Sequence, residues 1–221
     1  LIPYINIHTH QIDVHADGIS IVDYLTTALE QKEQLPFFSA GIHPWLIDIA
    51  NINFQFNTLN VLALNSNCVA IGECGLDKLK GPDISLQIPI FEKQIALAQQ
   101  IKKPVIVHCV KAFDVLSNII KKHQGKTSFI IHGFNQNEQV AHQFIKLGAY
   151  LSFGAALIHE KNDRLRAIFE QTPIENIFLE NDDSPTSINQ IYERAASLKN
   201  FELDVMKELI FANFKKVFTH E

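Results

Sequence analysis

Short apolar runs rich in β-branched and aromatic residues recur along the chain at intervals too long for hairpins. This constrains the fold more than any other feature. Seven such runs occur, at residues 2–7, 36–40, 68–72, 104–108, 128–132, 150–153 and 176–180. Most are continuously apolar, as expected of strands buried on both faces of a parallel sheet. Between most of them lie stretches of helical period, at 83–101, 112–122, 137–147 and 163–171, and an amphipathic stretch at 203–218 has no strand after it. Along 83–101, Leu86, Ile90, Phe91, Ile95, Leu97 and Ala98 fall roughly on one face. Such alternation implies right-handed parallel crossovers, in an open doubly wound sheet or in a barrel of eight with one strand degenerate. Polar residues at the ends of many different strands favour the barrel, whose C-terminal mouth carries the site. No Gly/Ser tract, Pro-rich run or charge block interrupts the pattern, so residues 1–221 read as one domain.

Composition excludes several classes. With 47% apolar and 19% charged residues, the chain is globular rather than disordered. A formal net charge of −5 argues against a wide basic groove for duplex DNA. It leaves nucleic acid open, because a metal site can hold a single phosphate by itself. Three cysteines, Cys68, Cys74 and Cys109, make no disulfide framework and point to a reducing, cytoplasmic setting. The apolar runs are strand-sized, far short of a membrane span, and residues 1–7 lack the basic flank of a signal peptide.

The residues at the run ends carry the chemistry. His8-Thr9-His10 closes the first run, and residues i and i+2 of a strand share a face, so both imidazoles can reach one ion. In Ala70-Ile71-Gly72-Glu73-Cys74-Gly75-Leu76-Asp77, a carboxylate stands between two glycines that permit close backbone approach or positive φ. Two further runs end in histidine, Val105-Ile106-Val107-His108 and Phe129-Ile130-Ile131-His132, and the last leads into Glu180-Asn181-Asp182-Asp183. Taken singly, each has a plainer explanation: a core histidine, a loop glutamate paired with Lys78, an aspartate capping the turn before Pro185. As a set, four histidines and two acids at five strand ends describe a metal cage. Such donors with open positions suit Zn²⁺, Mn²⁺, Fe²⁺ or Ni²⁺, and Mg²⁺ less comfortably. Hydrolysis is the default chemistry of such a cage. His43, in Gly41-Ile42-His43-Pro44-Trp45, is a further candidate, for substrate rather than metal. His15, His123, His142, His159 and His220 read as surface residues, and Cys109 as a small buried thiol.

These motifs, with Gly41-Ile42-His43-Pro44, His132-Gly133-Phe134, Leu179-Glu180-Asn181-Asp182-Asp183-Ser184-Pro185 and the closing Asn213-Phe214 to Phe218, resemble the TatD family of metal-dependent deoxyribonucleases, within the amidohydrolase-like barrels. The resemblance runs from end to end. It implies a distorted TIM (β/α)8 barrel, its last strand short or degenerate, with two divalent ions (Zn, Mg or Mn). By that analogy His8, His10 and Asp182 hold one ion, His108 and His132 the other, and Glu73 bridges them. Asp182 and Glu73 are then the catalytic carboxylates, and His43 contacts the scissile phosphate. The implied substrate is DNA, at ends or in short single strands; the acidic net charge argues for few phosphate contacts, and the sequence points to no membrane and no obligate protein partner. Asn6 stands where the family usually has Asp, Cys109 where Arg is common, and Asn181 where Thr is usual. Losing a strand-end Arg removes a phosphate clamp, which Lys78, Lys80 and Lys111 could replace only as point charges.

Two other functions compete. A small-molecule amidohydrolase or lactonase could use the same cage, although many of those carry a bridging Lys at the place of His108. A non-catalytic metal-binding barrel is the third, and the intact set of six ligand candidates argues against it.

Overall fold

The computed structural model describes residues 2–11, 18–25 and 37–219. Among these residues the strands are β1 (Tyr4–Thr9), β2 (Gly18–Leu25), β3 (Phe38–Gly41), β4 (Cys68–Asp77), β5 (Val105–Val110), β6 (Phe129–Ile131), β7 (Tyr150–Phe153) and β8 (Ile177–Leu179). The α-helices are α1 (Ile52–Ala63), α2 (Ile84–Gln100), α3 (Phe113–His123), α4 (Glu138–Lys146), α5 (Asp163–Gln171), α6 (Ile188–Lys199) and α7 (Leu203–Phe214). Seven strands coincide with the seven apolar runs, and β8, the last, is short at three residues.

β2, α1 and α6 are not among the expected elements. In β2 the acidic Asp23 breaks the apolar run. In α1 the apolar residues surround the helix: Phe56 and Leu59 are buried, but Phe54 and Val61 are 57% and 72% exposed, so no single stripe stands out. α6 did carry a sequence signal. Ser187 and Gln190 form a capping box, and Asn200 ends the helix in the left-handed conformation.

The chain forms two compact units, Leu1–Ser20 with Ile131–Glu221, and Ile21–Ile130. In the second unit, β2, β3, β4 and β5 lie side by side in chain order, all parallel. Helix α2 starts where the Asp83 side chain accepts the Ser85 amide at 2.9 Å. It buries Phe91, Ile95 and Ala98, while Leu86 of the expected face is exposed. Each fully buried side chain of the Phe or Ile type contributes about 1.5–3 kcal/mol relative to exposure. Register places Gly75 opposite His108. A Cβ at Gly75 (φ 144°) would sit 2.2 Å from the His108 carbonyl oxygen, so only glycine lets β4 come this close.

In the first unit, β7 and β8 pair in parallel, and Thr9 at the end of β1 bridges to Asp182 just beyond β8. The Tyr192 hydroxyl of α6 accepts the Ile5 amide and donates to the Ile5 carbonyl, both at 3.0 Å. It thereby fixes the middle of β1. From α7, the Asn213 amide donates to the carbonyls of Ile174 and Ile177, at 2.7 and 2.9 Å. Phe134, Phe153 and Phe169 pack edge to face through the core, with centroids 5.7 and 5.1 Å apart. Among the described residues, no helix is long and apolar enough to cross a membrane.

Candidate metal centre

The first unit brings His8, His10, His132 and Asp182 together. His8 Nε2 and His10 Nε2 lie 3.5 and 3.3 Å from Asp182 Oδ1. Ligand atoms of His8, His132 and Asp182 all fall within 4.8 Å of one another. Backbone contacts hold the group. The Asp182 amide donates to the His8 carbonyl at 3.1 Å, and the Asp182 carbonyl accepts the His10 amide and the Thr9 hydroxyl, both at 3.2 Å. Asp182 has φ 54°, a left-handed conformation that non-glycine residues adopt at a cost and that gathers at functional sites. The cap of α6 is Ser187, five residues further on, rather than Asp182. Burial pushes the Asp182 carboxyl up. The His10 hydrogen bond and the neighbouring His8, His132 and His10 outweigh it, and the carboxyl sits below its ordinary range.

The resemblance pairs His132 with His108. In the first unit the His132 ring lies 4.5 Å from that of His8. Behind it stands Glu180, a residue that sequence reasoning left without a role. Glu180 is buried, its Oε1 lies 3.4 Å from His132 Nδ1 and accepts the Gly133 amide at 2.6 Å, and its Oε2 accepts the Ser152 hydroxyl. Carboxylates in this position orient ligand histidines. Two of the departures from the family pattern pair with each other. The Asn6 amide donates to Asn181 Oδ1 at 2.8 Å, and the Asn181 backbone amide donates to Asn6 Oδ1 at 3.1 Å. Beside Asp182, Gly133, Asn135, Gly154, Asp183 and Ser184 are among the residues that line a cavity of about 190 Å³.

The second unit brings His43, Glu73 and His108 together, with ligand atoms again within 4.8 Å. His108 Nδ1 lies 2.7 Å, and His43 Nε2 3.4 Å, from Glu73 Oε1. Asp23 of β2 takes the Glu73 backbone amide at 2.7 Å. Asp77 is the counterpart of Glu180 and was likewise unassigned. Its Oδ2 accepts the Trp45 indole N–H at 2.6 Å and faces His108 Nε2 at 3.3 Å, while its Oδ1 accepts the amides of Leu79 and Lys80. Burial raises the Asp77 carboxyl, but these four hydrogen bonds prevail, and it lies below its ordinary range.

Helix α2 holds both ends of this cluster with two glutamines two turns apart on one face. Gln94 accepts the Ile42 amide at 2.7 Å and donates to the Ile42 carbonyl at 3.2 Å. Gln87 accepts the Asp77 amide at 2.8 Å and donates to the Asp77 carbonyl at 2.7 Å. Both side chains are buried. They interrupt the apolar stripe of α2, and that interruption is the signal that could have marked them.

The other expected residues fall variously. Lys78 is engaged by Asp114 at 2.9 Å, and Lys80 lies over the Trp45 ring. His142 and His159 are exposed as expected. His123 is instead half-buried, with Nδ1 2.9 Å from the Gln99 amide nitrogen, because its turn packs against α2. His15 and His220 lie outside the described residues. Cys109 is half-buried, and burial pushes its thiol up to about 12. As a donor set, imidazole nitrogens with carboxylate oxygens, backed by buried carboxylates, fit a divalent ion of the zinc or manganese kind.

The model of the family described as TatD-related DNase matches residues 9–219. The chain belongs to that family. A Bacillus subtilis relative named as an uncharacterized metal-dependent hydrolase, YabD, is 27% identical, over 88% of this chain and 82% of that protein. The crystal structure of YjjV, a TatD homolog from Escherichia coli, superposes with a TM-score of 0.80 at 21% identity and covers 98% of both chains. An uncharacterized amidohydrolase from Saccharomyces cerevisiae matches with a TM-score of 0.69 at 13% identity, over 82% of this chain and 80% of that one. The full-length likeness to YjjV shows the fold, a TatD-type (β/α)8 barrel. By family this chain is a metal-dependent hydrolase.

Proposed function

We propose that the chain is a phosphodiester hydrolase that acts on DNA ends or short single strands with two divalent ions. His8, His10, His132 and Asp182 serve one ion, and Glu73 and His108 serve the other. The observation that carries this reading is the pair of strand-end clusters, each combining imidazole with carboxylate and each backed by a buried acid. Family membership supports it. Ions bound there would supply Lewis acidity and an acidified water.

The chain's own residues have distinguishable tasks. With its proton on Nε2, His108 donates to Asp77 and keeps Nδ1, 2.7 Å from Glu73 Oε1, for an ion shared with that carboxylate. Asp182, held ionised, accepts the proton of the attacking water. His43 Nδ1 accepts the Trp45 backbone amide at 3.2 Å, so the neutral ring carries its proton on Nε2. That nitrogen is then a donor: it faces Glu73 Oε1 at 3.4 Å, and it suits a phosphate oxygen rather than a cation.

The test is a nuclease assay on 3′-labelled single-stranded DNA with Mg²⁺, Mn²⁺ or Zn²⁺, with and without chelator. Chelator-sensitive cleavage is expected, and no cleavage with any ion overturns the reading. Turnover of lactones or cyclic amides in place of DNA would assign the site to an amidohydrolase. His108→Ala should lose one ion and keep the other in metal analysis of the purified protein; two retained ions contradict the assignment.

A further inference from the structure

We propose that Trp45 is a stacking platform for a nucleobase of the single-stranded substrate, a specificity element at the edge of the His43–Glu73–His108 cluster. This rests on the nuclease reading above.

Trp45 is 45% exposed, yet it is held in place. Its indole N–H is committed to Asp77 at 2.6 Å, and its ring meets those of His43 and His108 edge-on, at 4.8 and 5.5 Å between centroids. A large apolar ring left in water is costly, and one left there in a fixed orientation is pre-organised for a flat partner. Leu46, next in the chain, is also exposed and adds apolar surface. The exposed Lys80 lies over one face of the ring, its ammonium 3.7 Å from the centroid, and a base that takes this face displaces it toward the neighbouring phosphate.

The occupant follows from this chemistry. An aromatic face with one adjacent cation matches one base and its phosphate, the unit of single-strand binding. The net charge of −5 leaves little affinity to counterion release, so stacking must supply much of it. Stacking tolerates any base, which predicts weak sequence preference and a shallow dependence on salt.

Trp45 is the single tryptophan of the chain, so its emission reports the platform directly. The metal-loaded protein is titrated with a phosphorothioate tetrathymidylate and with an abasic strand of equal length. Anisotropy of labelled strands measures binding, and tryptophan emission with unlabelled strands measures stacking. The expected result is quenching by tetrathymidylate, none by the abasic strand, and abasic binding weaker by roughly 5- to 150-fold. Trp45→Leu should raise KM for DNA cleavage by a similar factor, and Trp45→Phe, which keeps a ring but loses the N–H, by much less. Tetrathymidylate that binds with unchanged emission overturns the platform and leaves the nuclease reading standing. Equal defects in the Leu and Phe variants also overturn it, since the hydrogen bond to Asp77 would then be what matters. A protein that neither binds nor cleaves any strand overturns both.

Discussion

Asp77 accepts three hydrogen bonds and Glu180 two from neighbouring groups, and each also faces a histidine already marked at a strand end. Their importance lies in direction: a ring nitrogen tied to a carboxylate leaves the opposite nitrogen for an ion. Asp77→Asn should therefore weaken metal binding at the second cluster by about 10- to 100-fold. Calorimetric titration with Mn²⁺ or Zn²⁺ reads this, and two unchanged affinities would count against the role. The same substitution has a pH signature. The native Asp77 carboxyl lies below its unfolded value, so its contribution is fully present above about pH 3.9 and is lost as pH falls through the native value. Urea midpoints should fall on acidification more steeply in the wild type than in Asp77→Asn. The cysteines make the opposite case. Burial pushes Cys109 up to about 12 and raises Cys68 and Cys74, so all three stay as thiols at neutral pH. Intact mass after iodoacetamide at pH 8 should show no rapid labelling of the native protein, and three adducts once it is unfolded in guanidinium.

At the scale of elements, α2 does more than cover β4. Gln87 and Gln94 sit two helical turns apart, and each closes both backbone groups of a residue that carries the site. Gln94→Leu would leave the Ile42 amide and carbonyl without this partner. At about 1–3 kcal/mol for each unsatisfied buried group, it should lower stability by a few kcal/mol, and it should loosen His43. Denaturant unfolding measures the first. A variant as stable as the wild type would show that the clamp is dispensable. The strands were legible because continuous apolar runs identify themselves. β2 was hidden by Asp23, and that residue is polar because it supports Glu73 from below. α1 was hidden because its apolar residues follow no single face.

For the molecule as a whole, binding of ions to the folded chain alone should couple metal to stability. Each ion at a hundred times its dissociation constant adds about 2.7 kcal/mol. For a chain of this size each kcal/mol corresponds to about 2–4 °C in Tm, so chelation should lower Tm by roughly 5–20 °C. Scanning fluorimetry with and without EDTA checks this. An unchanged Tm would mean that the clusters hold no ion tightly. The family assignment and the fold were both available from motifs spread along the chain, because a (β/α)8 pattern repeats one local unit and places its polar residues at predictable ends.

The sequence by itself determined the repeat, the family and the histidines and acids at the strand ends. Periodicity and residue type are local, and these features need nothing more. Only the tertiary structure decided which of them meet. It set His132 beside His8 and Asp182 in the first unit, placed His43 with Glu73 and His108 in the second, and put Glu180 and Asp77 behind the rings. It also paired Asn6 with Asn181, 175 residues apart, so that two departures from the family pattern satisfy each other. Hydrogen bonds between distant side chains depend on register and on the orientation of each ring, and neither is written in the spacing of residues along one strand.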